Sequence, residues 1–249
     1  IKFKLRQANN SKEKSVMFKL DIIKDVLVFS IVYVPPFLVF SKFWREKKKS
    51  NLLLVLIGIA YVITCIFTEN LIPFIFVLLN MRYLKHRDGP YEFDIRRFKF
   101  FNAIVSVVVF YLIAIGISII ETIILSNFRV ELKQQEIVTH MANMPLNKFL
   151  IMIPVIIIFA PILEEFVFRW LLFEKIFTKR MGIYMAALLS SLIFAVIHFS
   201  LNAFPIIFWI GIYNCYLINK KGYWYAVFNH CAFNSVTVAA LLLQKLSMM

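Results

Sequence analysis

A small set of ionisable side chains lies inside the apolar stretches of this sequence, and their spacing could support hydrolysis. In the segment APILEEFVFRW, Glu165 and Arg169 are four residues apart, so on a helix they share a face and can form an ion pair. Glu164 points to a different side of the same helix and is left to face another element. A charge inside a membrane costs from about 2.5 to more than about 10 kcal/mol, so such residues are expected to serve a function.

Two further polar pairs have a one-turn spacing. Phe194 and His198 lie in the segment SLIFAVIHFS, and His230 and Asn234 lie in the segment NHCAFN. Each pair taken alone could be a structural contact that locks helix packing. Three such clusters on successive helices are harder to explain in that way, and we expect them to converge on one interior site.

The elements that must position these side chains are predicted to be transmembrane helices. The 249 residues are 61% hydrophobic and 17% charged, whereas a soluble domain is about a quarter charged. This composition excludes disordered, collagen-like and disulfide-scaffold classes. Because a bilayer requires every backbone polar group to be paired, we predict an all-α fold, a polytopic transmembrane helix bundle with seven or eight spans.

The predicted spans follow the apolar runs of about 20 residues. They are residues 22–41, 52–80, 101–125, 149–173, 182–200, 203–218 and 223–244. The run 52–80 counts as two spans if it breaks at Glu69, Asn70 and Pro73. Pro35 and Pro36 are expected to kink or end the first span, because proline lacks an amide proton.

The chain is predicted to divide into three parts. Residues 1–21 form a basic N-terminal arm, residues 22–99 form N-terminal transmembrane helices with a basic loop, and residues 100–249 form the catalytic transmembrane core. No soluble domain and no internal repeat is evident in the sequence.

The formal net charge of +14 comes from Lys and Arg in short runs between apolar stretches. This distribution is typical of loops beside anionic lipid headgroups, and we expect no nucleic-acid partner. Loops 82–99, 174–181 and 219–222 are predicted to share one side, which we expect to be the cytoplasm. The N-terminal arm and residues 42–49 are also basic, and the sequence leaves open which of them lies opposite. We expect a bacterial cell membrane protein whose active site opens toward the cytoplasm.

The three clusters also form a known set of motifs. Residues 164–169 fit EExxxR, residues 194–198 fit FxxxH and residues 230–234 fit HxxxN, in this order on successive late spans. The pattern resembles the CPBP family of intramembrane proteases, also called the Abi or type II CAAX prenyl protease family. The surrounding spans extend the likeness over residues 100–244.

This resemblance implies an intramembrane glutamic endopeptidase. Its substrate would be a membrane-associated peptide or protein, such as a CAAX-like tail, a pheromone precursor or a bacteriocin precursor. The resemblance implies that Glu164 and His198 activate a water for attack on the scissile carbonyl. His230 and Asn234 would donate hydrogen bonds to the developing oxyanion.

Glu165, Arg169 and Phe194 are expected to support the catalytic residues rather than to react. We expect no metal and no other cofactor. The alternative is a zinc ion, because two histidines and a glutamate would leave one coordination position open. The sequence has no HExxH motif, and the position of Asn234 suits hydrogen bonding better than ligation.

Two functions from other classes are open alternatives. One is a non-catalytic membrane scaffold or bacteriocin self-immunity protein that binds a sensor kinase or a toxin. The other is a small transporter that relays protons through intramembrane Glu and His side chains. Substitution of Glu164 by alanine would abolish the cellular phenotype if the protein acts as a protease. It would leave the phenotype unchanged if the protein acts as a scaffold. The expected partners are a peptide or protein substrate and the lipid bilayer, and the oligomeric state cannot be read from the sequence.

Overall fold

The computed structural model describes residues 19–68, 70–86, 91–128 and 136–247. Most of the predicted basic arm, residues 1–21, therefore lies outside the described residues. Within the described ranges the regular structure is helical throughout, with no strand. This confirms the predicted all-α class.

The helices are numbered here along the chain. They are α1 (Lys19–Glu46), α2 (Asn51–Thr68), α3 (Leu71–Lys85), α4 (Phe100–Asn127), α5 (Glu136–Asn143), α6 (Leu146–Met181), α7 (Ile183–Val196), α8 (Phe204–Lys220) and α9 (Tyr223–Ser247). A short 3-10 turn, Ile95–Arg97, lies in the connection between α3 and α4.

Five helices in the described part of the chain are long and apolar enough to cross a membrane: α1, α2, α4, α6 and α9. Helices α3, α7 and α8 contain 15, 14 and 17 residues. At 1.5 Å per residue they are about 21 to 26 Å long, which is shorter than a hydrocarbon core of about 30 Å. The predicted count of seven or eight spans is therefore not confirmed.

Two predicted boundaries change in the structure. The run 52–80 forms two helices, and Pro73 lies in the first turn of α3, where its missing amide proton disturbs no helical hydrogen bond. The predicted loop 174–181 is wrong, because α6 continues to Met181. Gly182 then separates α6 from α7 with a backbone φ of 78°, a conformation that glycine adopts without steric strain.

The first span does not end at its two prolines. Helix α1 widens to π-helical geometry over Phe29–Tyr33, immediately before Pro35 and Pro36, and continues to Glu46. The hydroxyl of Tyr61 on α2 donates to the carbonyl oxygen of Tyr33 at 2.5 Å. A side chain of a neighbouring helix thus pairs a backbone group beside the prolines, as proline in a membrane helix requires.

The basic loops gather at one end of the bundle, called the basic end below. Glu92 in the connection before α4 forms an ion pair with Lys175 of α6, and Trp224 at the start of α9 donates to the carbonyl of Phe93 at 2.8 Å. The turn 47–50 lies at the same end, because its lysines share a cavity with the last residues of α3. The basic stretch 42–49 therefore lies with the loop 82–99, and α1 begins at the opposite end.

The opposite end is formed by the start of α1, by α5 and by the turn 197–203. The ammonium group of Lys24 lies 6.0 Å from the ring centre of Phe199. Lys245 near the end of α9 donates to the backbone carbonyls of Ala142 and Met144, at the end of α5. Between the two ends, α6, α7, α8 and α9 pack into the main core, and this core contains the fully buried polar side chains described next.

Candidate active site

The two adjacent glutamates lie where α6 changes its helical geometry. The helix is α-helical over Ala160–Glu164 and π-helical over Glu165–Phe177. π-Helical turns shift the phase of the side chains and are frequent at functional sites. As a result, Glu164 lines a cavity, whereas Glu165 has no exposed surface and points into the protein behind that cavity.

Glu165 is the centre of a buried polar network. Its Oε1 accepts a hydrogen bond from Asn214 Nδ2 at 3.0 Å and lies 2.7 Å from His230 Nδ1. Asn229 Nδ2 donates in turn to Asn214 Oδ1 at 2.9 Å. The other carboxylate oxygen of Glu165, Oε2, lies 3.2 Å from Arg169 Nε. These groups come from α6, α8 and α9, so the network fixes three helices around one carboxylate.

The guanidinium group of Arg169 is fully buried and is held mainly by charge and by an aromatic ring. It is close to Glu165, but the two groups are not aligned for a hydrogen bond, and its nitrogens have no hydrogen-bond partner among the described residues. Its Cζ lies 4.0 Å from the ring centre of Phe194. A desolvated cation over an aromatic face is attracted by about 2 kcal/mol. Phe194 therefore offsets part of the cost of burying Arg169.

His198 lies just beyond the end of α7 rather than within a helix. The predicted span 182–200 was too long, because α7 ends at Val196. His198 Nδ1 lies 2.7 Å from the carbonyl oxygen of Phe194, and its ring packs edge-on against the Phe194 ring at 4.7 Å. A neutral ring that donates from Nδ1 to a carbonyl can accept at Nε2.

His230 lies between the two glutamates. Its Nδ1 is 2.7 Å from Glu165 Oε1, and its Nε2 is 3.7 Å from Glu164 Oε2. The ring is 4% exposed and packs edge-on against Phe194 at 5.8 Å. Because Glu165 fixes one ring nitrogen, the other is directed to the side where Glu164 lies.

Asn234 lies one turn beyond His230 and lines the same cavity. Its Nδ2 donates to the carbonyl oxygen of Ile156 at 2.8 Å, within a second π-helical segment of α6, Val155–Phe159. An asparagine amide has two protons, and this bond uses one of them. Asn234 thus connects α9 to α6 and retains a second donor.

One cavity of about 430 Å³ contains the four residues predicted to be catalytic: Glu164, His198, His230 and Asn234. Its other walls are mostly apolar side chains such as Ile207 and Phe233. Glu165 and Arg169 do not line it, and the Phe194 ring does. The structure therefore brings together all three motifs and separates Glu164 from the buried pair behind it.

The cavity extends toward the opposite end of the bundle, where Asn70, Val138 and Ala203 line it. The sequence predicted both that the basic end is cytoplasmic and that the site opens toward the cytoplasm. These two expectations are incompatible in this structure, because the basic loops lie at the other end from this part of the cavity.

The site does not fit a zinc ion well. Among the residues that the structure describes, no group of three or more His, Cys, Asp and Glu side chains is arranged to hold a metal. Both ring nitrogens of His230 face carboxylates, and His198 Nδ1 faces a carbonyl. The absence of a metal requirement stays a prediction.

Asn214 and Asn229 were not predicted as site residues. Both have no exposed surface, and both belong to the network around Glu165. Asn214 is an amide within the apolar run of α8, and Asn229 directly precedes His230. Treating neutral amides inside apolar helices in the same way as charges would have identified them.

Comparison with known proteins places these motifs in a family. No curated protein and no solved structure matches the chain. A family model described as type II CAAX prenyl endopeptidase Rce1-like matches residues 146–236. This range begins with the first residue of α6 and contains all three motifs. Together with the long apolar helices, it supports an integral membrane protein of a protease family. The resemblance to the CPBP family seen in the sequence is confirmed over residues 146–236, which match the Rce1-like model of CAAX-type proteases.

Proposed function

We propose that this protein is an intramembrane endopeptidase that hydrolyses a peptide bond with a water activated by Glu164 and His198. One observation carries the proposal. Four polar side chains from the three motifs, Glu164, His198, His230 and Asn234, line a single cavity inside the matched domain.

The water is held by two acceptors. Because His198 Nδ1 donates to the Phe194 carbonyl, its Nε2 can accept one hydrogen of the water. The carboxylate of Glu164 accepts the other hydrogen. The oxygen lone pair is then directed toward the scissile carbonyl, and Glu164 takes the proton as the C–O bond forms. Glu164 returns that proton to the leaving amine when the C–N bond breaks.

The developing oxyanion is stabilised by His230 and Asn234. His230 Nδ1 is engaged by Glu165, so the ring donates through Nε2 when it carries both protons. Asn234 supplies the amide proton that Ile156 does not use. One such donor contributes about 2.7 to 4 kcal/mol in hydrolases.

The substrate is proposed to be a peptide or protein at the membrane with apolar residues around the scissile bond, because apolar side chains form most of the cavity wall. CAAX-like tails, pheromone precursors and bacteriocin precursors all have this chemistry. The substrate enters from the opposite end, where Val138 and Ala203 line the cavity. The cell membrane of a bacterium is the proposed location.

Peptidomics of membranes tests the proposal and identifies the substrate. Cells with the wild-type protein are compared with cells that carry Glu164→Gln, a variant that keeps the size of the side chain. We expect one or more precursors to accumulate intact in the variant and their cleaved products to disappear. Identical peptide profiles, with equal amounts of both proteins in the membrane, would contradict a proteolytic function.

A further inference from the structure

A second cavity lies at the basic end, apart from the catalytic cavity. It has a volume of about 280 Å³ and lies between the last turns of α1 and α3. Phe40 and Leu79 give it an apolar lining, and Trp44 and Tyr83 form aromatic walls. None of these four residues lines the catalytic cavity.

Two lysines are held at the rim of this cavity by the turn that joins α1 to α2. Lys48 has a backbone φ of 49°, which makes the turn tight, and Trp44 Nε1 donates to the carbonyl of Ser50 at 3.0 Å. The ammonium of Lys47 lies 5.0 Å from the ring centre of Tyr83, and that of Lys49 lies 4.5 Å from the ring centre of Trp44. The turn therefore positions both cations over the aromatic walls.

The facing side of the rim comes from α3 and is also basic. Arg82 and His86 line the cavity there. No acidic residue lines the cavity in the part of the chain that the structure describes, and Glu46 Oε2 nearby accepts a hydrogen bond from the Tyr83 hydroxyl at 3.4 Å. Lys47, Lys49 and Arg82 outnumber this carboxylate, so the rim attracts an anion.

A buried side chain among the lining residues carries an unused hydrogen-bond acceptor. Asn80 lines the cavity and has no exposed surface. Its Nδ2 donates to the carbonyl oxygen of Pro36 at 2.9 Å, which fixes the orientation of the amide. Its Oδ1 has no hydrogen-bond partner within the described ranges. Buried polar atoms without a partner are rare, so a ligand that brings a donor hydroxyl to Asn80 fits this position.

We propose that this cavity binds the headgroup of an anionic glycerophospholipid that carries a free hydroxyl, of the phosphatidylglycerol type. The phosphate contacts Lys47, Lys49 and Arg82, and a headgroup hydroxyl donates to Asn80 Oδ1. The acyl chains lie along the exposed apolar side of α3, where Leu79 is 45% exposed. Basic pockets between membrane helices bind acidic lipid headgroups in this way. The site is independent of the protease proposed above.

The test uses the full-length protein in detergent and measures retained lipid by native mass spectrometry. Three probes are titrated: phosphatidylglycerol, phosphatidylmethanol, which has the same charge without the headgroup hydroxyls, and the zwitterionic phosphatidylcholine. The site variant is Lys47→Gln with Lys49→Gln. The matched control is Lys179→Gln with Arg180→Gln, two cations of the basic end that do not line this cavity.

We expect the affinity for phosphatidylglycerol to fall roughly fivefold for each lysine removed in the site variant and to stay unchanged in the control. Phosphatidylcholine should bind weakly to all forms. Equal losses in both variants would overturn the proposal, since they would indicate general attraction to a basic surface.

The role of Asn80 has its own readout. The wild-type protein should prefer phosphatidylglycerol to phosphatidylmethanol, and Asn80→Leu should remove that preference while Lys47 and Lys49 still bind the phosphate. A wild-type protein without the preference would contradict the hydroxyl contact. Inorganic phosphate is added as a competitor. If it displaces the lipid at a phosphate concentration similar to the lipid concentration, the ligand is free phosphate and the lipid proposal is overturned.

Discussion

At the scale of single residues, two neighbouring carboxylates have different surroundings and therefore different proposed roles. Glu164 lines the cavity and is placed to react, whereas Glu165 is enclosed by Arg169, Asn214 and His230. A fully buried carboxylate is stable only when it is paired and hydrogen-bonded. Glu165 thus positions His230.

Replacement of Asn214 by Leu should weaken the network around Glu165. The carboxylate loses a hydrogen bond that water cannot replace, and Asn229 loses its acceptor. We expect the free energy of unfolding in detergent to fall by about 1 to 3 kcal/mol. Asn219→Leu is the matched control, because Asn219 lies on the same helix but is exposed. An equal effect of the two variants on thermal unfolding would contradict the network.

Arg169→Met should be more damaging, because it leaves the Glu165 carboxylate buried without its cation. The expected loss is about 3 to 5 kcal/mol, seen as a fall in the melting temperature. The double variant Glu165→Leu with Arg169→Met removes both charges and should recover much of the stability. It should not recover activity, because His230 then lacks its positioning partner. A double variant that is less stable than Arg169→Met would refute a structural ion pair.

At the scale of elements, the site depends on departures from ideal helices. Helix α6 carries the two glutamates at a change to π-helical geometry, and α7 stops before His198. Both features direct polar side chains into one cavity. Helix α5 covers part of this cavity through Val138 and Met141, although it contains only 8 residues. Its position therefore depends on contacts with other elements.

Lys245 makes a polar contact with the end of α5. Its ammonium donates to the carbonyls of Ala142 and Met144, where the end of a helix carries partial negative charge. Lys245→Met should keep the fold but release α5. The free energy of local opening of α5 should fall by about 1.5 to 3 kcal/mol, so amide exchange over 136–143 should become at least about tenfold faster. Lys220→Met, at the exposed end of α8, is the control. Unchanged exchange in the Lys245 variant would rule out this anchor.

At the scale of the whole molecule, the sequence predicted the class of the fold and the convergence of the motifs. Apolar runs and i,i+4 spacing carry that information, because they reflect a lipid solvent and a helical repeat. The sequence did not predict where α6 and α7 end. Helix α6 continues through the largely polar residues 174–181, whereas α7 ends at Val196 although the apolar run goes on beyond it. It also missed Asn214, whose role depends on a contact with Glu165, 49 residues away in the chain. Such contacts arise only when the helices pack.

The whole molecule also has two ends that should lie on opposite sides of the membrane. Leu201, at the end near the cavity, is 90% exposed, and Lys179 lies at the basic end. In a background with the three native cysteines replaced by serine, Leu201→Cys and Lys179→Cys should react with an impermeant maleimide from opposite sides. Labelling of both from one side would contradict the arrangement of the two ends. The side from which Leu201→Cys reacts identifies the side of the proposed substrate entrance.

Cleavage by the purified protein tests whether Glu164 performs hydrolysis in the cavity. Wild-type protein, Glu164→Gln and the control Glu121→Gln are reconstituted with a substrate found by peptidomics. Glu121 is another membrane-helix glutamate, but it does not line the catalytic cavity. We predict that Glu164→Gln lowers kcat at least about a hundredfold, in line with the loss of a general base, while Glu121→Gln keeps wild-type activity. Cleavage by folded Glu164→Gln at the wild-type rate would contradict the account.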